Sequence, residues 1–210
     1  MGGPKLSAAQ MAQRRQTMLR VAFRLFAKKN IDSVSMRDIA AKSNCGLRTI
    51  HRYFNTKDEL VVAVSSWAFD KFITENRKRR RKDLSQTTAA EDYEFFLDSF
   101  LALYRKHADL LRFNQMFNVY VRSEHISEEK MQPYQEIMNA LRERFHNTYE
   151  KRDGTLRTNV PEEEIFSTTL HLMLAVVTRY AVGLVYQGGT DPERELLTQK
   201  EMLLRQYTIQ

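Results

Sequence analysis

The stretch VSMRDIAAKSNCGLRTIHRYF, residues 34–54, decides the fold. Ser35 with Asp38 three residues later is a helix-start signal: the hydroxyl can accept from a first-turn N–H, and the carboxylate suits the positive end of the helix dipole. The helix that follows, MRDIAAKS, is about two turns long, with Ile39 and Ala40 as its inward residues. Asn44-Cys45-Gly46 supplies a turn, and a third helix runs on to Phe54. Helices this short do not persist alone in water, so one side of each must be packed. In the later helix Ile50 and Phe54 lie four apart and point inward. Arg48, Thr49, His51 and Arg52 then fall outward, with Leu47 and Tyr53 at the margins.

Working outward, Ser7 and Gln10 have capping-box spacing and open a first helix that runs to Lys29. Met18, Ala22, Leu25 and Phe26 form its buried stripe, and Asn30 stands where a helix often exits in the left-handed conformation. Downstream, Asn55-Thr56 is a break and Lys57-Asp58-Glu59-Leu60 starts a long fourth helix reaching about Lys82. Five further helices are expected at 89–106, 108–122, 127–151, 162–187 and 192–207. SQTT (85–88), DGTLRTNVP (153–161), Gly188-Gly189 and Asp191-Pro192 separate them, with Pro192 suited to a first helical position. With 7 Gly, 4 Pro and no strand-like alternation, the fold class is all-α. About nine helices are expected: an N-terminal three-helix domain over 1–56, then a larger helical domain over 57–210.

Charge is divided unevenly. Residues 1–57 hold 12 Lys/Arg against 2 Asp/Glu, a net +10, whereas residues 58–210 hold 21 against 24, a net −3. A basic head on a near-neutral body points to a polyanion partner. The lone Cys45 excludes an internal disulfide and fits a reducing, cytoplasmic setting. No signal peptide is visible, and the most apolar run, LHLMLAVV (170–177), is too short to span a bilayer, so no membrane partner is expected. The five histidines show no metal-ligand spacing, there is no Gly-rich phosphate loop or G-x-S-x-G, and so no cofactor, metal or catalytic residue is expected.

Two short helices joined at a tight turn and braced by a third form a helix-turn-helix, whose second member fits the major groove. Arg can read guanine with two hydrogen bonds, and Thr can meet a base edge or a thymine methyl. Lys57 stands at a helix N-terminus, where free N–H groups favour a phosphate. The words AFRLFAKKNIDSVSMRDIAAKSNCGLRTIHRYFNTKDEL, residues 22–60, resemble the tetracycline-repressor (TetR) family of transcriptional regulators. By position, the resemblance implies that Leu47, Arg48, Thr49, His51, Arg52 and Tyr53 face DNA, together with Ser35, Met36 and Arg37 at the start of the second helix. Lys57 matches a phosphate-binding lysine. Asn30 and Asn44 replace the family's usual glycines, and both tolerate positive φ. Gly46 replaces a serine-like cap, and His51 a phosphate-contacting tyrosine; a neutral His can still donate one bond.

The resemblance also implies a homodimer through the C-terminal helices, a near-palindromic double-stranded operator and a small-molecule effector pocket. The segment 162–187, apolar almost all round, fits a helix buried against both its own core and a partner, and Gly183 would permit close approach. The pocket candidates are Phe96, Phe100, Tyr104, Phe113, Phe117 and Tyr120, with His171 and Arg179 as polar groups on the apolar helix. These aromatics equally suit plain core, and His171 and Arg179 equally suit pairing with Glu94 or Asp98, or a dimer interface. The run Arg77–Lys82 reads as a solvated helix end, a localisation signal or a second polyanion site. Glu162-Glu163-Glu164 suits a helix's first turn, and Cys45 a small buried hydrophobe or a redox sensor. The function expected is a one-component regulator, a repressor released by a small effector. Alternatives are a regulator controlled by a protein partner or by no ligand, or an enzyme or carrier that retains a basic head.

Overall fold

The structure, a computed structural model, describes residues 7–80, 83–183 and 191–209. The end of the basic run at Arg81 and Lys82, the predicted helix end at 184–187, and Gly188-Gly189 lie outside the described residues. Among the described residues nine α-helices follow one another: α1 Ala8–Lys29, α2 Met36–Lys42, α3 Leu47–His51, α4 Lys57–Lys78, α5 Ala89–Lys106, α6 Ala108–Ser123, α7 Glu128–Tyr149, α8 Glu162–Ala181 and α9 Pro192–Tyr207. The chain divides into two compact units, residues 1–69 with 113–135 and residues 70–112 with 136–210.

Three helices end at least three residues earlier than the sequence predicts. α3 stops at His51 and not Phe54: the N–H groups of Tyr53 and Phe54 both turn back to the Ile50 carbonyl, each at 3.0 Å. α4 stops at Lys78 and not Lys82, where Arg79 and Arg80 make tighter bonds to carbonyls three residues back. A run of like charges gives the helix no reason to continue there. α8 ends at Ala181 because Gly183 takes a positive φ of 77°, a left-handed exit. Gly183 therefore stops a helix, and no atom of the described residues lies within 4 Å of where its Cβ would be.

In the first unit, α1 buries Met18, Leu19, Ala22 and Phe26; Leu25 is only half-buried, and Leu19 takes the place expected for it. Phe113 of α6 is fully buried, with its ring 5.6 Å from Phe23, 6.2 Å from Phe26 and 6.0 Å from Phe117. Trp67 of α4 packs edge-on against Phe23 and donates its indole N–H to Gln16 at 2.6 Å.

In the second unit, Tyr93 of α5 is fully buried, 6.2 Å from both the Phe145 and Tyr207 rings, with its hydroxyl 2.7 Å from Thr169 Oγ1 of α8. Burial pushes its phenol well above the ordinary range. The first four N–H groups of α5's start are all satisfied: Thr88 and Glu91 cap each other, while Asp153 and Thr155 accept from Ala89 and Ala90. Beside that cap the buried Asp92 pairs with Arg80, accepts from Thr87 Oγ1 at 2.6 Å and lies 2.8 Å from Lys151 Nζ.

Candidate nucleic-acid interface

Reciprocal bonds start α2 where the sequence predicts. Asp38 N–H donates to Ser35 Oγ at 3.2 Å, and Ser35 N–H donates to Asp38 Oδ2 at 2.9 Å. The Ser35 hydroxyl also donates to Asp38, at 2.6 Å. These bonds hold the Asp38 carboxyl below its usual range. Ser35 therefore has no proton left for a phosphate oxygen, and a carboxylate guards the turn. Arg37, exposed beside it, is the residue there fit to meet a phosphate; Met36 is half-buried.

The corner between α2 and α3 relies on Asn44 at φ 55°, and Asn30 likewise ends α1 at φ 92°. Both stand in the positive-φ region that the sequence reading assigned them. Gly46 precedes α3 with an ordinary φ of −77° and no side-chain cap. The five-residue α3 is held by its apolar side: Ile50 is 0% and the following Phe54 3% exposed. On its other side Arg48, His51 and Arg52 are exposed and Leu47 is 37% exposed, while Thr49 is half-buried. Tyr53 differs from its neighbours, since its hydroxyl is buried with no partner among the described residues.

His51 Nδ1 lies 3.2 Å from the Asn55 carbonyl. A carbonyl oxygen only accepts, so Nδ1 carries the proton and the neutral ring presents Nε2 as a lone pair. Neutral His51 thus spends its one N–H inside the protein, a correction to the expectation that it could donate to phosphate; only the protonated ring would do so from Nε2.

Lys57 opens α4 with its ammonium 3.4 Å from the Asp32 carbonyl and 5.7 Å from the Tyr120 ring. Next to it, Asp58 accepts from Tyr120 Oη and from Lys130 Nζ, each at 3.0 Å. Burial pushes the Asp58 carboxyl up, but the bonds from Lys130 and Tyr120 outweigh it and leave the group lowered. Tyr120, a pocket candidate from sequence, is therefore tied to the start of α4. Sequence reading missed Arg15, whose guanidinium stacks 5.2 Å over the Phe54 ring. Its signal was present: Arg14 and Arg15 precede Met18 and Leu19 by one helical turn and share their face.

Residues 18–64 match the profile of the bacterial regulatory proteins of the tetR family. This segment carries the sequence signature of the tetR family. No curated protein matches it by sequence. Among solved structures, a putative transcriptional regulator from Saccharomonospora viridis in complex with choline shares 15% identity at a TM-score of 0.73, covering 95% of this chain and 100% of that one. The regulator FadR from Bacillus subtilis in complex with stearoyl-CoA shares 16% at 0.70, covering 90% and 97%. The ketosteroid regulator KstR2 of Mycobacterium tuberculosis shares 15% at 0.63, covering 94% and 96%. At such identities these likenesses establish a TetR-like fold across both units.

The other TetR-inspired candidates scatter. Phe113 and Phe117 are buried in the first unit, where Phe117 also lies 5.2 Å from Tyr134. Phe96 and Phe100 pack together in the second, at 5.3 Å, and Tyr104 meets Tyr180 edge-on. His171 and Arg179 are exposed. Glu94 and Asp98, considered as their partners, are held by Lys200 at 2.8 and 2.6 Å. No helix among the described residues is long and apolar enough to cross a membrane.

Proposed function

We propose that this chain is a one-component TetR-family transcriptional regulator, a repressor that binds a near-palindromic operator as a dimer and is released by a small-molecule effector. The observation that carries the reading is the two-sided α3: Ile50 fully buried, and Arg48, His51 and Arg52 exposed together with Arg37 and without a carboxylate partner among the described residues. Arg48 is assigned to base edges, with Thr49, Leu47 and Tyr53 flanking it; Arg37, Arg52 and Lys57 are assigned to phosphates. The functional division we assign is 1–56 for reading DNA and 57–210 for effector binding and dimerisation.

Exposure on α8 and α9 supports dimerisation. Thr168, His171, Ala175 and Arg179 form an exposed stripe at helical spacing, and α9 exposes Leu197 and Met202, 40% and 57% accessible. A second copy would cover both, which also explains His171 and Arg179 better than a role inside a pocket. The choline and stearoyl-CoA complexes of two similarly folded proteins support a small-molecule effector, for which Phe96, Phe100 and Tyr104 remain the lining we favour.

Selection from a random pool of duplexes, followed by binding at several salt concentrations, tests the reading. A regulator recovers a two-fold symmetric motif, prefers it over bulk DNA and shows a steep salt slope. Equal affinity for all duplexes overturns it. A thermal-shift screen of small cationic and acyl compounds tests the effector, because a ligand of the folded state raises its stability.

A further inference from the structure

A cleft of about 230 Å³ opens between α1 and the corner that joins α2 to α3. Arg14 and Thr17 stand on the α1 side, and Ser43, Cys45 and Thr49 on the other. The space suits a phosphate group with some water, given roughly 30 Å³ per water. Its lining has one cation, several hydroxyl and amide groups, and no carboxylate. Arg14 has no acidic partner among the described residues, and Ser43 Oγ is buried without any hydrogen-bond partner. A buried unsatisfied hydroxyl is costly, so an occupant that accepts hydrogen bonds would be held better than one that does not. Thr49, half-buried in the cleft wall, belongs to α3 and adjoins the exposed Arg48. Anything seated here therefore lies against the helix assigned to DNA.

We propose that this cleft is a seat for a phosphate-type anion, held by Arg14 and by the hydroxyls of Ser43 and Thr49, whereas the Thr17 hydroxyl is spent on the Gln13 carbonyl at 3.1 Å. Two sources share that chemistry: a backbone phosphate of bound DNA, and a free phosphate or phosphorylated small molecule. The first source rests on the DNA-binding reading above; the second does not.

The chain supplies its own reporter, because its one cysteine, Cys45, lines the cleft. Burial pushes the Cys45 thiol up, and Arg14 draws it partly back. Alkylation by uncharged iodoacetamide is measured on the full chain, with and without inorganic phosphate, at ionic strength matched by chloride. Phosphate slows alkylation severalfold in the native chain and in Arg14→Lys, but not in Arg14→Gln. In a second arm duplex DNA replaces phosphate. If a DNA phosphate uses the seat, DNA protects Cys45, and Arg14→Gln weakens all duplexes alike by about an order of magnitude. The salt slope then becomes shallower by about one. Protection in either arm that depends on Arg14 supports the seat and names its source. Protection by DNA with an unchanged slope in Arg14→Gln is mere coverage, and together with no phosphate effect it overturns the proposal. So does alkylation indifferent to both. If the protein binds no DNA, the functional reading falls while the phosphate arm still decides the seat.

Discussion

Residues 1–69 with 113–135 contain 14 Lys/Arg against 7 Asp/Glu, while residues 70–112 with 136–210 contain 19 of each. The first unit thus carries the whole net charge of +7. Among the described residues it pairs Lys130 with Asp58 but leaves Arg37, Arg48 and Arg52 without carboxylate partners. The second unit spends its cations internally: Arg80 and Lys151 on Asp92, Lys200 on Glu94 and Asp98, Arg105 on Glu193. Charges that are paired hold a fold in one arrangement; charges left unpaired remain available to a polyanion. The contrast separates a unit whose cations are largely spent on its own carboxylates from one that leaves several arginines unpaired among the described residues.

The largest effect should come from breaking the paired side. Asp92→Ala leaves Arg80 and Lys151 facing each other across a desolvated gap, and urea unfolding should show a loss of about 3–5 kcal/mol. A loss under 1 kcal/mol would mean that the pairing is surface decoration. On the unpaired side Arg48→Ala should leave stability within about 0.5 kcal/mol yet cost about 1–3 kcal/mol of operator binding with relaxed base preference. Unchanged preference would take Arg48 off the bases.

The Asp58 node sharpens the comparison, because it is a paired site inside the charged unit. Tyr120→Phe removes one of its two hydrogen bonds and should lower stability by about 1 kcal/mol. Since the folded carboxyl is lowered, Asp58's contribution is fully present above about pH 4 and fades as pH falls through the folded value. Acid titration of Asp58→Asn should lack that loss, and an identical acid limb would count against the node. His51 gives a smaller effect. His51→Ala removes a ring whose neutral N–H is already spent on the Asn55 carbonyl, so operator affinity in a duplex-binding assay should change by less than about 0.5 kcal/mol. Smallest of all, Gly46→Ser adds the missing cap at a site with an ordinary φ and open space. It should raise stability by a few tenths of a kcal/mol, and a loss would show that the corner needs glycine for another reason.

Much of this was legible in the chain. Ser7, Ser35 and Thr88 stand three residues before their capping partners, Asn30 and Asn44 tolerate positive φ, and Ile50 and Phe54 keep helical spacing; all are local rules, readable within a few residues. The early ends of α3, α4 and α8 were less legible, because competing bonds three residues back decide them. Arg15 on Phe54, and Lys200 between Glu94 and Asp98, join positions 39, 106 and 102 residues apart, and no local pattern encodes such pairings.

By itself the sequence determined the all-α class, the helix-turn-helix and the location of the basic excess, since propensity, capping and charge are properties of neighbouring residues. Only the tertiary structure decided which cations are spent and which are left over. It tied the His51 N–H to Asn55, bound the Tyr120 hydroxyl to Asp58, and placed Arg14 on the wall of a cleft. Those outcomes depend on which distant side chains the packing brings within hydrogen-bonding reach.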